Sequence, residues 1–202
     1  MNDAVPSFAL EALRRNLGVE DADRCLTGLD DMARLACWMI AATRPWPDTT
    51  RNVMQALMVA HSEGEQDAVQ WRRLRGAAVA LGDNEEVEIR AYGRVAEAAA
   101  WPLDSSQAGL VDIMQAVCLL RAEQVSRVTG WTQADEALAQ AVLTRIATGD
   151  GTIRPPREDI PARFRAADPM LEKRFSAHTN AANAAFEGFR AEVVAWLAGA
   201  TR

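Results

Sequence analysis

The side chains with chemistry to offer are few: a cluster of glutamates, two histidines and a run of arginines beside a tryptophan. Glu85 and Glu88 stand three residues apart and so share one face of a helix, with Glu86 and Glu97 nearby. A magnesium ion needs carboxylates converging on one point, usually with phosphate and water. A small all-α Mg-dependent hydrolase is the alternative this cluster raises, but no second Glu-x-x-Glu or Glu-x-x-Asp helix completes it. Acidic residues in a first helical turn also suit the positive end of the helix dipole, and that is the preferred reading of Glu85, Glu86 and Glu88. Asp30-Asp31 shares only its two letters with an acidic diphosphate-binding box.

His61 falls at the end of a helix, where a protonated imidazole would favour the negative dipole end. His178, Asn180 and Asn183 form a polar cluster near the apolar edge of the last helix. Buried amides must find partners, so these three are the candidate lining of a ligand pocket. This second reading is a helical ligand-binding or regulatory domain, its pocket between the last helix and a Met-rich helix over residues 49–62. The sequence holds no Glu-x-x-His or His-Glu-x-x-His pair, no Gly-rich or Gly-Lys-Ser/Thr phosphate loop and no Cys-x-x-Cys. No catalytic residue, metal ligand or cofactor is therefore assigned.

Trp71-Arg72-Arg73-Leu74-Arg75 sets three guanidiniums beside an aromatic ring, and Trp46, Trp101 and Trp131 recur at the starts of other helices. Tryptophan and arginine are the residues that anchor protein interfaces. The leading expectation is accordingly a non-enzymatic bacterial protein of the adaptor, inhibitor or immunity type, acting on another protein, itself a monomer or a homodimer. It requires at least two of those tryptophans to be exposed on one face. The plainer role for Arg72, Arg73 and Arg75 is a solvated helix face paired with Glu65 or Asp67.

The formal charge of −6 excludes nucleic acid as the main partner, because such binding draws on a basic face. The longest apolar run, residues 35–42, is too short to cross a bilayer, and the first thirteen residues lack an early basic charge. Cys25, Cys37 and Cys118 are odd in number and widely spaced. Together these features predict a cytoplasmic protein with no membrane segment.

The elements that must position these residues are helical throughout. Alanine, the best helix former, is roughly a fifth of the 202 residues, and tyrosine occurs once. The spacing predicts about eight helices: Ser7–Asn16 stopped by Gly18, Asp21–Thr43, Thr49–Ser62, Gln66–Leu81, Glu85–Ala100, Asp104–Thr129, Thr132–Thr148 and Pro169–Ala198. The apolar stripes place Val69, Leu74, Ala77 and Leu81 inward on the fourth helix. They place Val87, Ala91 and Val95 inward on the fifth, and Leu138, Ala141, Val142 and Ile146 on the seventh. Residues 149–168, rich in Pro and Arg, read as an extended crossover with one helical turn near Ala162, and Arg154, Arg157, Arg163 and Arg165 within it could bind an anion. Trp46-Pro47-Asp48 and Trp101-Pro102-Leu103 head two helices carrying Met-Gln-Ala, a loose internal repeat. The predicted fold is all-α, one domain over residues 1–202, an irregular multi-helix bundle or stacked helical hairpins with a long C-terminal helix.

Overall fold

The computed structural model describes residues 28–100, 109–148 and 159–200, together with residues 11, 14, 15, 17, 18 and 26. Among these the chain is helical and forms no strand. The helices are α1 (Leu29–Ala41), α2 (Asp48–Ser62), α3 (Ala68–Gly82), α4 (Val87–Ala99), α5 (Gly109–Thr129), α6 (Gln133–Thr148), α7 (Asp159–Ala167) and α8 (Leu171–Ala200). The long C-terminal helix is as expected. Most of Ser7–Asn16, and the Trp101-Pro102 unit of the repeat, lie outside the described residues. Gly18 does take a positive φ of 65°, and its N–H donates to the carbonyl of Arg14 at 2.9 Å.

The helices separate into two compact units, one of residues Met1–Leu120 with Glu187–Arg202, the other of Arg121–Phe186. In the first, α1 and α2 form one helical hairpin and α3 and α4 a second, and α2 packs against both members of the second. α1 begins at Leu29, and Gly28 just before it is fully extended at φ −172° and ψ −179°. Leu35, Met39, Met54, Leu57, Tyr92, Val95, Ile113, Val117 and Phe189 are buried in one continuous core.

The closest packing is between α3 and α4. A Cβ placed on Gly93 would lie 2.7 Å from Gly82 Cα and 2.7 Å from the Leu81 carbonyl carbon, so the two backbones touch there. This approach turns α3 so that Trp71, Leu74, Ala78 and Leu81 face inward. Val69 and Ala77, expected inside, are exposed, as is Val87 on α4. The sequence stripe was ambiguous because alanine and valine occupy both sides of α3, and the indole of Trp71, with its larger apolar area, decides which side is buried.

In the second unit Thr132 and Asp135 cap α6 reciprocally. The Asp135 N–H donates to Thr132 Oγ1 at 3.1 Å, and the Thr132 N–H donates to Asp135 Oδ2 at 3.1 Å. Gly130, at φ +68°, makes the turn that lets α5 stop just before this cap. Asp168 caps the start of α8, accepting from the Met170 N–H at 2.7 Å. Arg174 joins the two caps: its guanidinium donates to Asp135 Oδ1 at 3.0 and 2.7 Å and to Asp168 Oδ2 at 2.7 Å. The Thr132 hydroxyl and Arg174 hold the Asp135 carboxyl below its ordinary range, and Arg174 does the same for Asp168.

Ala139 and Val142 fill the core of this unit with Trp131, Phe164 and Leu171. Ala141, expected inside, is exposed. The expected extended crossover is corrected over its described part: residues 159–167 form the helix α7, longer than the single turn foreseen. Pro161 sits in its first turn, where a missing N–H costs no helical bond. Phe164 drives its formation, being buried and stacked on Phe175 at 4.6 Å.

The α3–α4 contact yields a paired expectation. Gly93→Ala should lower stability in urea unfolding by at least about 2 kcal/mol, since backbone on the far side cannot yield to a methyl group. Gly82→Ala, whose Cβ would meet nothing within 4 Å, should change it by under about 1 kcal/mol. Equal stability of the two variants would mean that the helices do not approach as described.

Candidate functional site

The tryptophans expected as interface anchors are inside. Trp46, Trp71 and Trp131 are buried at 9%, 3% and 8% exposure, and Trp101 lies outside the described residues. Two exposed tryptophans on one face are therefore not available. Each indole instead ties down a helix start: Trp46 Nε1 donates to Thr43 Oγ1 at 2.9 Å, Trp71 Nε1 to the Glu65 carbonyl at 2.9 Å and Trp131 Nε1 to Glu136 Oε2 at 2.8 Å. A buried indole needs such an acceptor. Arg72 and Arg73 are exposed and Arg75 is half-buried. Neither Arg72 nor Arg73 pairs with a carboxylate among the described residues. Glu65 Oε1 accepts the Asp67 N–H, and Asp67 Oδ1 accepts the Val69 N–H as the cap of α3.

The proposed pocket cluster on α8 is not assembled. Asn180 and Asn183 are exposed, so neither amide is a buried group in need of partners. His178 is half-buried, its ring parallel to that of Trp131 at 5.1 Å, with Nδ1 3.5 Å from Thr129 Oγ1. Glu85 precedes α4, which starts at Val87, so Glu85 and Glu88 do not share a helical face as supposed. The Glu86 N–H is held by Asn84 Oδ1 at 2.9 Å. Asp31 pairs with Arg34 at 3.2 Å. No group of three His, Cys, Asp or Glu side chains converges to hold a metal ion among the described residues.

His61 is a core residue, 4% exposed, and not a charged cap at the end of α2. Its Nε2 lies 2.7 Å from the carbonyl of Ala99. A carbonyl only accepts, so Nε2 carries the proton. The ring is tilted against Trp71 at 5.0 Å. Burial pushes the imidazole below its ordinary value of 6.5, which keeps it neutral.

What the structure does bring together is a groove of about 800 Å³ along the outer side of α2. Cys37 of α1 lies at one wall, Pro45 and Trp46 of the α1–α2 loop supply an apolar floor with Met58, and Arg44, Arg51 and Gln55 stand at the rim. The loop is fixed from behind. Thr43 Oγ1 donates to the Ile40 carbonyl at 2.7 Å while accepting from Trp46, and the hydroxyl of Tyr92 lies 3.1 Å from the carbonyls of both Thr43 and Pro45. The Arg44 guanidinium lies over the Trp46 ring at 4.6 Å, with Nη2 3.8 Å from Met58 Sδ. No carboxylate pairs with Arg44 among the described residues, whereas Arg51 pairs with Asp48. The Cys37 thiol donates to the Met58 carbonyl at 3.3 Å, and burial pushes its pKa up. A thiol held protonated is a weaker nucleophile than a thiolate.

The sequence reading missed this site because Trp46 stood there as an interface anchor and Pro47 as part of a loose repeat, with nothing linking them to Arg44, Pro45 or Met58. One signal was present: Arg51, Gln55, Met58 and Ser62 recur at four-, three- and four-residue spacing on a second stripe of α2. No family model, curated protein or solved structure matches the chain. Among the described residues no helix is long and apolar enough to cross a membrane.

Neutral His61 makes stability fall with acid. The unfolded imidazole takes up a proton near pH 6.5 while the folded one resists, so stability is full above that pH and declines as pH drops toward the folded value. Urea midpoints should fall between about pH 7 and about pH 5, and His61→Gln should flatten that part of the curve at a lower overall stability. An unchanged slope in the variant would assign the acid sensitivity elsewhere.

Proposed function

We propose that this is a non-enzymatic regulatory protein whose groove along α2 takes a small anion with a flat apolar body, such as an aryl carboxylate or sulfonate. The observation that carries this reading is Arg44, an exposed guanidinium laid over Trp46 at the rim of an apolar floor, with no carboxylate to neutralise it among the described residues. Stacking holds the fork in place before a ligand arrives, so less rotamer entropy is lost when it engages a carboxylate or sulfonate. Pro45, Trp46 and Met58 would receive the apolar body, and Gln55 could accept or donate beside it. The ligand-binding alternative drawn from the sequence is kept, moved from His178, Asn180 and Asn183 to this groove. A cytoplasmic setting fits the half-buried thiol of Cys37 and the odd number of cysteines.

A titration by calorimetry with 8-anilinonaphthalene-1-sulfonate tests it. Arg44→Ala should weaken binding by roughly 10- to 100-fold, the size of a lost charge-assisted hydrogen bond. Arg73→Ala, remote on α3, should leave it unchanged. Wild-type protein that does not bind, or binds no better than Arg44→Ala, would remove the reading.

A further inference from the structure

α3 has a second, outward side that no described residue of the first unit covers. Val69 is 60% exposed and Val79 40% exposed, and Arg72, Arg73, Gly76, Ala80 and Asp83 are exposed with them. These positions recur at alternating three- and four-residue intervals over two heptads, the pattern of a helix that packs along another helix. Gly76 lies mid-helix, where glycine is the least favoured residue apart from proline, yet a Cβ there would meet nothing within 4 Å. The packing inside the chain thus does not require this glycine.

The charges at the two ends of α3 are segregated and unmatched. Arg72 and Arg73 lie toward the N-terminal half of α3, and Asp83, Glu85 and Glu86 follow its C-terminal end, all exposed. None of these five makes an ion pair among the described residues. Eleven residues of helix, roughly 16 Å, separate Arg72 from Asp83 on one copy.

We propose that α3 is a homodimerisation face, on which two copies pair antiparallel about a two-fold axis between Ala77 and Ala78. That single choice of axis sets Arg72 of each copy opposite Asp83 of the other, brings Arg73 toward the same acidic end, and lays Val79 of each copy over Gly76 of the other. An isologous interface requires such self-complementarity. The occupant is a second copy of this chain because the face carries both halves of the match: a basic end and an acidic end, in the order that only reversal of the helix direction satisfies. Gly76 allows the two backbones to approach closely at the centre.

Sedimentation velocity on the full chain across a range of concentrations tests this, with Arg72→Glu/Arg73→Glu as one variant and Asp83→Arg/Glu86→Arg as the other. The wild type should show a monomer–dimer equilibrium that weakens with added salt. Each variant alone places like charges at both ends of the interface and should weaken the dimer by roughly 100-fold. Mixing the two variants should restore a dimer, because each then meets its opposite charges, and this rescue excludes misfolding as the cause of the loss. A wild type that stays monomeric at the highest concentration overturns the proposal. So does a dimer that persists in both variants, or a mixture that fails to recover.

Discussion

The contact of Gly93 with the backbone of Leu81 and Gly82 sets the geometry from which the rest of the first unit follows. Helices that carry side chains at their crossing keep their axes well apart, whereas a glycine lets the backbones meet. Because α3 and α4 meet there, the Trp71 ring sits beside His61, and His61 reaches the last carbonyls of α4 at Ala99. The same placement of α4 carries the Tyr92 hydroxyl under the α1–α2 loop, at Thr43 and Pro45. A methyl group at position 93 would thus be felt first at the crossing and then at the floor of the groove.

Buried polar groups do the positioning that the apolar core cannot. Hydrophobic burial stabilises α1 to α4 without fixing where one loop runs, since it has no direction. The hydrogen-bonded run from Trp46 through Thr43 to the Ile40 carbonyl, met from the other side by Tyr92, has direction and admits one arrangement of the loop. Arg44 stands exposed on that loop, over the Trp46 ring that the run holds. The chain has a single tyrosine, and it is spent on this point.

Much of the architecture was legible from local chemistry. Gly18 and Gly130 stop helices in the left-handed conformation, Thr132 heads α6, and Pro45 and Pro47 break the chain between α1 and α2. These signals act within a few residues, so a sequence displays them. The facing of α3 was not legible, because Val69, Ala77, Ala78 and Ala80 surround the helix with small apolar groups and only the partner decides which are covered. The groove was hidden for a similar reason: Cys37, Arg44, Trp46 and Arg51 come from two helices and a loop, and no short spacing links them. Tryptophan misled in the opposite sense. Its value as an interface anchor is equally its value as a staple for a helix start, and Trp46, Trp71 and Trp131 are used as staples.

Arg174 gives the second unit a property of a different kind. One guanidinium grips the carboxylates that begin both α6 and α8, so the group that anchors one helix start is itself held in place by the other. Helix ends normally exchange their amide protons independently and early, each by its own local opening. Here a shared guanidinium links the caps that hold the amides of Asp135 and Met170, 35 positions apart in the chain, so opening of one start should loosen the other. The starts of α6 and α8 thus form one connected edge where two separate helix ends would otherwise stand.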